Sequence, residues 1–248
     1  MNKYLVLFCI VISYSFVSDG FKNQQLKYSR VQEAYDDYQE DVLSLLHLKR
    51  IDERDFSIYL RAFKREKEIE LWGKNTSDKE YTLIKTYDIC KTSGKLGPKR
   101  KQGDSQIPEG FYHINRFNPQ SQFHLSLGLN YPNRSDVILG KKNKLGGDIF
   151  IHGSCVTRGC LPITDEGIKE LYVFCIEAKN AGQKRIPVTM FPCHLYTENY
   201  EKLCVDFYSN KKLIGLWTDL KIAYEIFNET GQLPNIRFLD SGRHKVFQ

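Results

Sequence analysis

Between Gln24 and Leu48 the apolar residues Val31, Tyr35, Tyr38, Val42, Leu45 and Leu46 recur at three and four, with Asp, Glu and Lys between them. That period predicts an amphipathic helix, read as a packing helix ahead of the main domain. The period then drops to two. Phe56, Ile58, Leu60 and Ala62 form one face of a strand, the charged run Lys64 to Lys67 turns the chain, and Ile69 and Leu71 resume on the return, which predicts a β-hairpin. Tyr81 to Tyr87 reads as a third strand after the polar turn Lys74 to Lys79, and further strands are expected at Gly110 to Phe117, Phe123 to Leu129, Asp148 to His152 and Ile186 to Phe191. Two helices interrupt the strands. Thr164 is the expected N-cap of the first, with Asp165 and Glu166 in its positive first turn and Ile168, Leu171, Tyr172, Cys175 and Ile176 as its buried stripe. The second runs from Lys211 to Asn228 and stops before Gly231 and Pro234. The longest loop, Lys91 to Pro108, is rich in Lys, Gly and Ser, and a loop of that length is more often functional than accidental.

Composition narrows the class. With 248 residues, 41% hydrophobic and only 17 Gly and 8 Pro, the chain is neither collagen-like nor disordered and has material for one catalytic-size domain. A net charge of +6 suits contact with an anionic polymer or surface without demanding one. No aromatic motif stands at the spacing of a nucleic-acid module, so no nucleic-acid partner is expected. Lys3 followed by the uncharged stretch Tyr4 to Val17 and then Ser18-Asp19-Gly20 has the layout of a secretory signal peptide over residues 1–20. A bilayer span needs roughly 20 apolar residues, so the mature chain is expected to have no transmembrane segment. Cleavage after Gly20 removes Lys3, Asp19 and Cys9 together, which leaves the charge at +6 and lowers the cysteine count from seven to six.

The chemistry is concentrated in Asp148-Ile-Phe-Ile-His-Gly-Ser-Cys-Val-Thr-Arg-Gly-Cys-Leu-Pro162. An apolar strand delivers His152 to a Gly-containing turn, eight residues before a cysteine, Cys160, that directly follows Gly159. An imidazole fixed at a strand end can take a thiol proton, and the imidazolium then stabilises the thiolate. Gly159 lets the backbone approach a substrate carbonyl, so the Cys160 amide and its neighbours could serve as oxyanion donors. Taken alone, the same string also fits a turn holding a disulfide or half of a metal site. His152, Cys155 and Cys160 are the only zinc candidates, and they lack the paired spacings of structural zinc sites, so neither metal nor cofactor is expected.

Ile151-His152-Gly153 followed by Thr157-Arg158-Gly159-Cys160 resembles the catalytic signature of the L,D-transpeptidase (YkuD-type) family, a His-Gly element followed by Ser/Thr-His-Gly-Cys. Pro108-Glu-Gly-Phe-Tyr-His-Ile114 is similar to that family's Pro-x-Gly-x-Phe/Tyr strand. Tyr87-Asp-Ile-Cys90, Ser93-Gly94, Leu96-Gly-Pro-Lys99, Asn118-Pro119, Phe123-His-Leu-Ser126 and Tyr131-Pro-Asn133 bring the chain nearest the YafK-like murein branch. The resemblance covers roughly residues 56–196 and implies a mixed, mainly β fold, a sandwich or barrel with packed helices and helical extensions at both ends. The expected layout is a signal peptide (1–20), an N-terminal helical lead (21–54), the catalytic domain (55–196) and a helical C-terminal extension (197–248).

The resemblance implies that Cys160 is the nucleophile and His152 its general base and then general acid, with Thr157, Arg158, Gly159 and Gly153 in substrate-binding or oxyanion positions. Arg158 stands where the family has a second His, and the His-to-Cys interval is shorter than usual, a feature shared with the YafK-like branch. The implied partner is a peptidoglycan stem peptide in the periplasm or cell envelope of a bacterium, attacked at its diaminopimelate carbonyl to give a thioester. An amine acceptor would make the chain a transpeptidase. Water would make it a murein-peptide hydrolase, releasing a peptide or a murein-linked lipoprotein, and loss of the pair would leave a non-catalytic wall-binding module. His113 and His124 are read as hydrogen-bonded sheet residues, His194 as unplaced, and Cys155 as a buried structural thiol rather than a redox partner. The basic runs Lys95, Lys99, Arg100, Lys101 and Lys141, Lys142, Lys144 are read as solvated loops, the first also as a candidate border of the substrate groove.

Overall fold

The structure, a computed structural model, describes residues 20–248, so the expected signal peptide lies outside the described residues except for Gly20. The expected N-terminal helix is two helices, α1 (Phe21–Gln25) and α2 (Ser29–Leu48), because Tyr28 between them has an extended backbone at φ −97° and ψ 129°. Along α2 the buried residues Val31, Ala34, Tyr35, Val42 and Leu46 form one stripe, as the three-and-four spacing requires.

The strands are β1 (Phe56–Phe63), β2 (Glu68–Asn75), β3 (Thr82–Asp88), β4 (Gly110–Ser121), β5 (His124–Leu129), β6 (Phe150–His152), β7 (Leu161–Pro162) and β8 (Ile186–Phe191). They form one eight-stranded sheet in the order β3-β2-β1-β8-β4-β5-β6-β7. All pairings are antiparallel except β1 with β8 and β6 with β7. The mixed fold with packed helices is as expected, with the strands in a single large curled sheet. A short helix missed by the periodicity, α3 (Arg134–Leu139), is nucleated by a capping box between Asn133 and Asp136.

Helix α4 (Thr164–Asn180) covers one face of the sheet. Ile168, Leu171, Tyr172, Cys175 and Ile176 are fully buried there, against Ile58, Leu60 and Ala62 of β1 and Leu125 and Leu127 of β5. Each such side chain contributes roughly 1.5–3 kcal/mol of burial. Two carboxylates are buried with that stripe and are paired: Glu170 with Lys85 Nζ at 2.6 Å, and Glu177 with Lys22 Nζ at 2.6 Å and the Tyr35 hydroxyl at 2.7 Å. Thr164 begins α4 itself, and its hydroxyl accepts from the Gly167 N–H at 3.3 Å, so the capping bond expected of it is made.

The opposite face is covered only in part. Helices α5 (Thr197–Asp206) and α6 (Lys211–Thr230) place Leu203, Leu213, Trp217, Leu220 and Tyr224 in a second core with Phe63, Phe111 and Phe191. The C-terminal stretch expected to be helical ends instead in a hairpin, β9 (Asn235–Phe238) with β10 (His244–Phe247). Gly231, in the left-handed region at φ 64°, terminates α6. Arg243 then clamps the Asp219 carboxylate at 2.8 and 2.6 Å, and Asp219 also accepts the His244 N–H at 2.9 Å, which anchors the hairpin to α6.

Candidate active site

β6 ends at His152, and an eight-residue loop returns to β7, which pairs parallel with β6 so that Ile151 faces Leu161 and His152 faces Pro162. Ile151 and Leu161 point into the α4 core. By alternation His152, Phe150 and Cys160 point to the other face, where α4 cannot cover them. Strand spacings put the His152 and Cys160 backbones about 8 Å apart, and no hydrogen bond joins the imidazole Nε2 to the thiol. Both residues line one cavity of about 320 Å³, together with Asn118, Phe123, Ser126 and Asp148.

The imidazole of His152 is 1% exposed and lies 4.7 Å from the Phe123 ring, centroid to centroid. Its Nδ1 donates to the Gly153 carbonyl at 2.6 Å, which fixes the tautomer and leaves Nε2, a buried atom with no hydrogen-bond partner, as the basic nitrogen. Burial lowers the His152 pKa below the ordinary histidine value, against an opposing contribution from the Gly153 bond. The Cys160 thiol is half-buried and lies 3.5 Å from the Asp148 carbonyl. Burial pushes its pKa up; a backbone hydrogen bond from Phe150 and the Lys99 charge pull the other way. The resting pair is therefore neutral thiol and neutral imidazole at pH 7.

The turn between them is built from backbone constraints. Gly153 donates to the Phe123 and Leu125 carbonyls at 3.1 and 3.2 Å, and Ser154 N–H donates to Asp165 at 2.7 Å. Gly159 has φ +109°, and a Cβ there would stand 2.9 Å from the Gln106 carbonyl, so the position is restricted to glycine. The Gly159 N–H donates to Ser93 Oγ at 2.7 Å, and Ser93 Oγ donates onward to the Ser105 carbonyl at 2.9 Å. Thr157 Oγ1 accepts from the Cys160 N–H at 2.9 Å and donates to the Cys160 carbonyl at 2.7 Å. The two amides expected to serve as oxyanion donors are thus already bound to side-chain hydroxyls. Arg158 is exposed, and no ion pair reaches it among the described residues.

Cys155 is not a buried thiol. It is exposed and bonded to Cys90, across a sequence separation of 65, which ties the end of β3 to the turn carrying Cys160. Cys160, Cys175, Cys193 and Cys204 are free. Of the first basic run, Lys95 and Lys101 are exposed as read, but Lys99 is 5% exposed and pairs with Asp104 at 2.6 Å, while half-buried Arg100 pairs with Asp136 at 2.6 Å. Both cations hold the long loop rather than face solvent. His124 sits at a hairpin turn with φ 65° and Nδ1 buried without a partner, and His113 is half-buried on β4. His194 stacks on Phe63 and pairs with Glu68 at 2.6 Å, and it does not line the Cys160 cavity. Glu68, Glu70 and His194 have ligand-type atoms within 4.8 Å of one another, but Arg61 Nε already stands 3.0 Å from Glu70. Ser93, Phe123, Ser126 and Asp148 were not singled out as site residues from the sequence; all four stand inside the quoted motifs, which was the available signal.

Residues 62–188 match the YkuD L,D-transpeptidase catalytic domain, a span that holds both His152 and Cys160. The chain belongs to this family. It is 35% identical to YafK of Escherichia coli strain K12, a protein classed by name with the L,D-transpeptidases, over 191 residues that cover 76% of this chain and 73% of the relative. The YafK protein of Escherichia coli O157:H7 matches to the same extent. Among solved structures, the helical cell shape determining protein Pgp2 of Campylobacter jejuni aligns at a TM-score of 0.45 with 19% identity, covering 75% of this chain and 74% of that one. Bd1075 of Bdellovibrio bacteriovorus aligns at 0.39 with 22% identity, over 69% of this chain and 63% of that one. The family assignment rests on the sequence matches alone.

Proposed function

We propose that this chain is an exported, cysteine-dependent L,D-transpeptidase acting on peptidoglycan stem peptides in the cell envelope. The observation that carries the reading is the buried His152 Nε2, left unpaired by the Gly153 bond in a cavity that Cys160 shares. The Sγ–H proton passes to Nε2, and the thiolate attacks the diaminopimelate carbonyl of the stem peptide. As the tetrahedral intermediate collapses, the imidazolium returns the proton to the departing amine and a thioester remains. An acceptor amine then gives up a proton to Nε2 and takes the acyl group, which regenerates the thiol. Water in place of the amine gives hydrolysis.

Burial disfavours the charged pair in the resting state, so the ion pair forms only when substrate is in place. Thr157 holds the Cys160 backbone at both its N–H and carbonyl, and Ser93 holds Gly159, so these two are positioning residues. With the Gly159 and Cys160 amides engaged, Asn118 and Gln122 are the side-chain amides on the cavity wall that can donate to the oxyanion. Arg158 lies outside the lining of the Cys160 cavity; exposed and without an ion pair among the described residues, it is the proposed partner of a substrate carboxylate beyond the cavity.

The test is incubation of the mature protein with a tetrapeptide muropeptide, with and without an amine acceptor, for wild type and Cys160→Ala. Wild type should release terminal D-Ala and show a thioester adduct by mass spectrometry, and Cys160→Ala neither. Exchange onto the amine identifies a transpeptidase, and release without the amine a hydrolase. Equal turnover by both proteins would remove Cys160 as nucleophile, and binding without turnover by wild type would make the chain a wall-binding module.

A further inference from the structure

The sheet face that carries His152 and Cys160 continues past the Cys160 cavity. Along β4 the register slips between Ile114, opposite Leu129, and Arg116, opposite Gly128, so Asn115 is an extra residue in the ladder. Before the slip Tyr112 and Ile114 face the α4 core while Phe111, His113 and Asn115 face away from it. After the slip the parity reverses: Phe117 packs on Tyr172 of α4, and Arg116 and Asn118 face away. The bulge therefore keeps Phe111, His113, Asn115, Arg116 and Asn118 on one side of the sheet. Asn118 lines the Cys160 cavity, and Asn115, about 10 Å back along the strand, lines a second one.

This second cavity, of about 700 Å³, shares no lining residue with the first. Its floor is β4, β8 and Tyr59 of β1, and its far wall is the segment Leu233 to Phe238 that leads through β9. Ring and proline surfaces dominate: Phe111, Tyr131, Pro132, Pro187, Pro234 and Phe238. Two guanidinium groups stand on the lining, Arg134 and Arg185, and no Asp or Glu does. Arg134 pairs with exposed Asp240. Arg185 is exposed and has no ion pair among the described residues. Its charge and burial keep His113 below the ordinary histidine pKa, burial being the larger effect, so the fixed charge in the cavity comes from arginine. A volume in the range of small-ligand sites, flat apolar walls and an unpaired guanidinium together select a carboxylate on a body of sugar-ring or proline dimensions.

We propose that this cavity is a second binding site, for an acidic muropeptide: a sugar ring lies on the aromatic and proline walls, and a stem-peptide carboxylate is held by Arg185. The choice of polymer rests on the function proposed above. The site itself rests on the bulge, the walls and the charge. One peptidoglycan strand running along β4 then occupies both cavities, and the second fixes the strand while the stem peptide enters the first.

The test uses the mature Cys160→Ala protein, which binds without turnover, and follows the His113 ring and the Asn115 and Asn130 side-chain amides by NMR during titration with a disaccharide-tetrapeptide muropeptide. These signals should shift. Arg185→Glu should weaken the muropeptide about tenfold, as loss of one charge-assisted bond requires, with Arg185→Lys in between. The same muropeptide with its carboxylates amidated should bind wild type and Arg185→Glu alike. Unshifted cavity signals, or an unchanged Kd in Arg185→Glu, would overturn the proposal. A parallel thioester assay on the Cys160 protein separates the two readings. Thioester with a silent cavity removes the second site alone, and cavity shifts without thioester remove the catalytic reading alone.

Discussion

Lys64 lies at the end of β1, with its side chain 5% exposed and its partner Glu109 at 0%. Its Nζ is 2.9 Å from Glu109 Oε1 and within 2.8–3.0 Å of the Lys95, Gly97 and Ile107 carbonyls. Glu109 also accepts the Gly97 N–H at 2.7 Å and the Trp217 indole N–H at 2.8 Å. One ammonium thus gathers both ends of the long loop that reaches Gly159 through Ser93, and one carboxylate ties it to α6. Lys64→Ala leaves Glu109 charged, buried and short of its counter-ion. Removing one partner of such a pair costs about 3–5 kcal/mol, or a fall of roughly 6–20 °C in Tm for a chain of this size. Lys64→Met/Glu109→Gln removes both charges and keeps one acceptor oxygen, enough for the Gly97 N–H or the Trp217 indole N–H but not both, so it should recover part of that loss. Urea unfolding followed by circular dichroism, compared at constant m, reads the difference. A single variant within about 1 kcal/mol of wild type, a surface-like value, or a double variant no better than the single, would refute the argument that the pair is desolvated and holds the loop.

Because the His152 pKa is lowered by burial and the Cys160 pKa is raised by it, the competent form is the neutral pair. kcat/KM should therefore climb below the ordinary histidine value of about 6.5 and stay flat through neutral pH. A profile that rises only above pH 8, tracking free thiolate, would contradict proton transfer to His152. The Cys90–Cys155 bond closes a loop of 65 residues, for which chain entropy gives about 4 kcal/mol. Cys90→Ser/Cys155→Ser should lose about that much in urea and turn over more slowly as the Cys160 turn loosens, and an unchanged midpoint would show that the bridge does not restrain the unfolded chain.

Much of the scaffold was legible because it depends on period. The stripe Ile168, Leu171, Tyr172, Cys175, Ile176 is buried as its spacing demands, and the alternation in Phe56 to Phe63 and Ile186 to Phe191 marks strands that the sheet contains. What escaped the period was short or set by local polar bonds. α3 is six residues long and depends on the Asn133–Asp136 capping box, and the four-residue strands of the C-terminal hairpin are held by Asp219. The basic loop looked solvated because charge in a sequence carries no partner with it. Asp104 and Asp136, which bury Lys99 and Arg100, become partners only through the fold.

By itself the sequence marked the longer elements, the family and a His-Cys pair suited by residue type to exchange a proton, since those follow from side-chain type and local spacing. The tertiary structure alone decided which face of the sheet they share. The parallel pairing of β6 with β7 brings residues eight apart to one cavity, and that register depends on contacts no local window contains. It also decided that Cys155 is bridged to Cys90, because a separation of 65 residues closes only when β3 and the Cys160 turn are packed side by side. The bulge at Asn115 is of the same kind: one extra residue, silent in the hydrophobic pattern, aligns two cavities along a single strand.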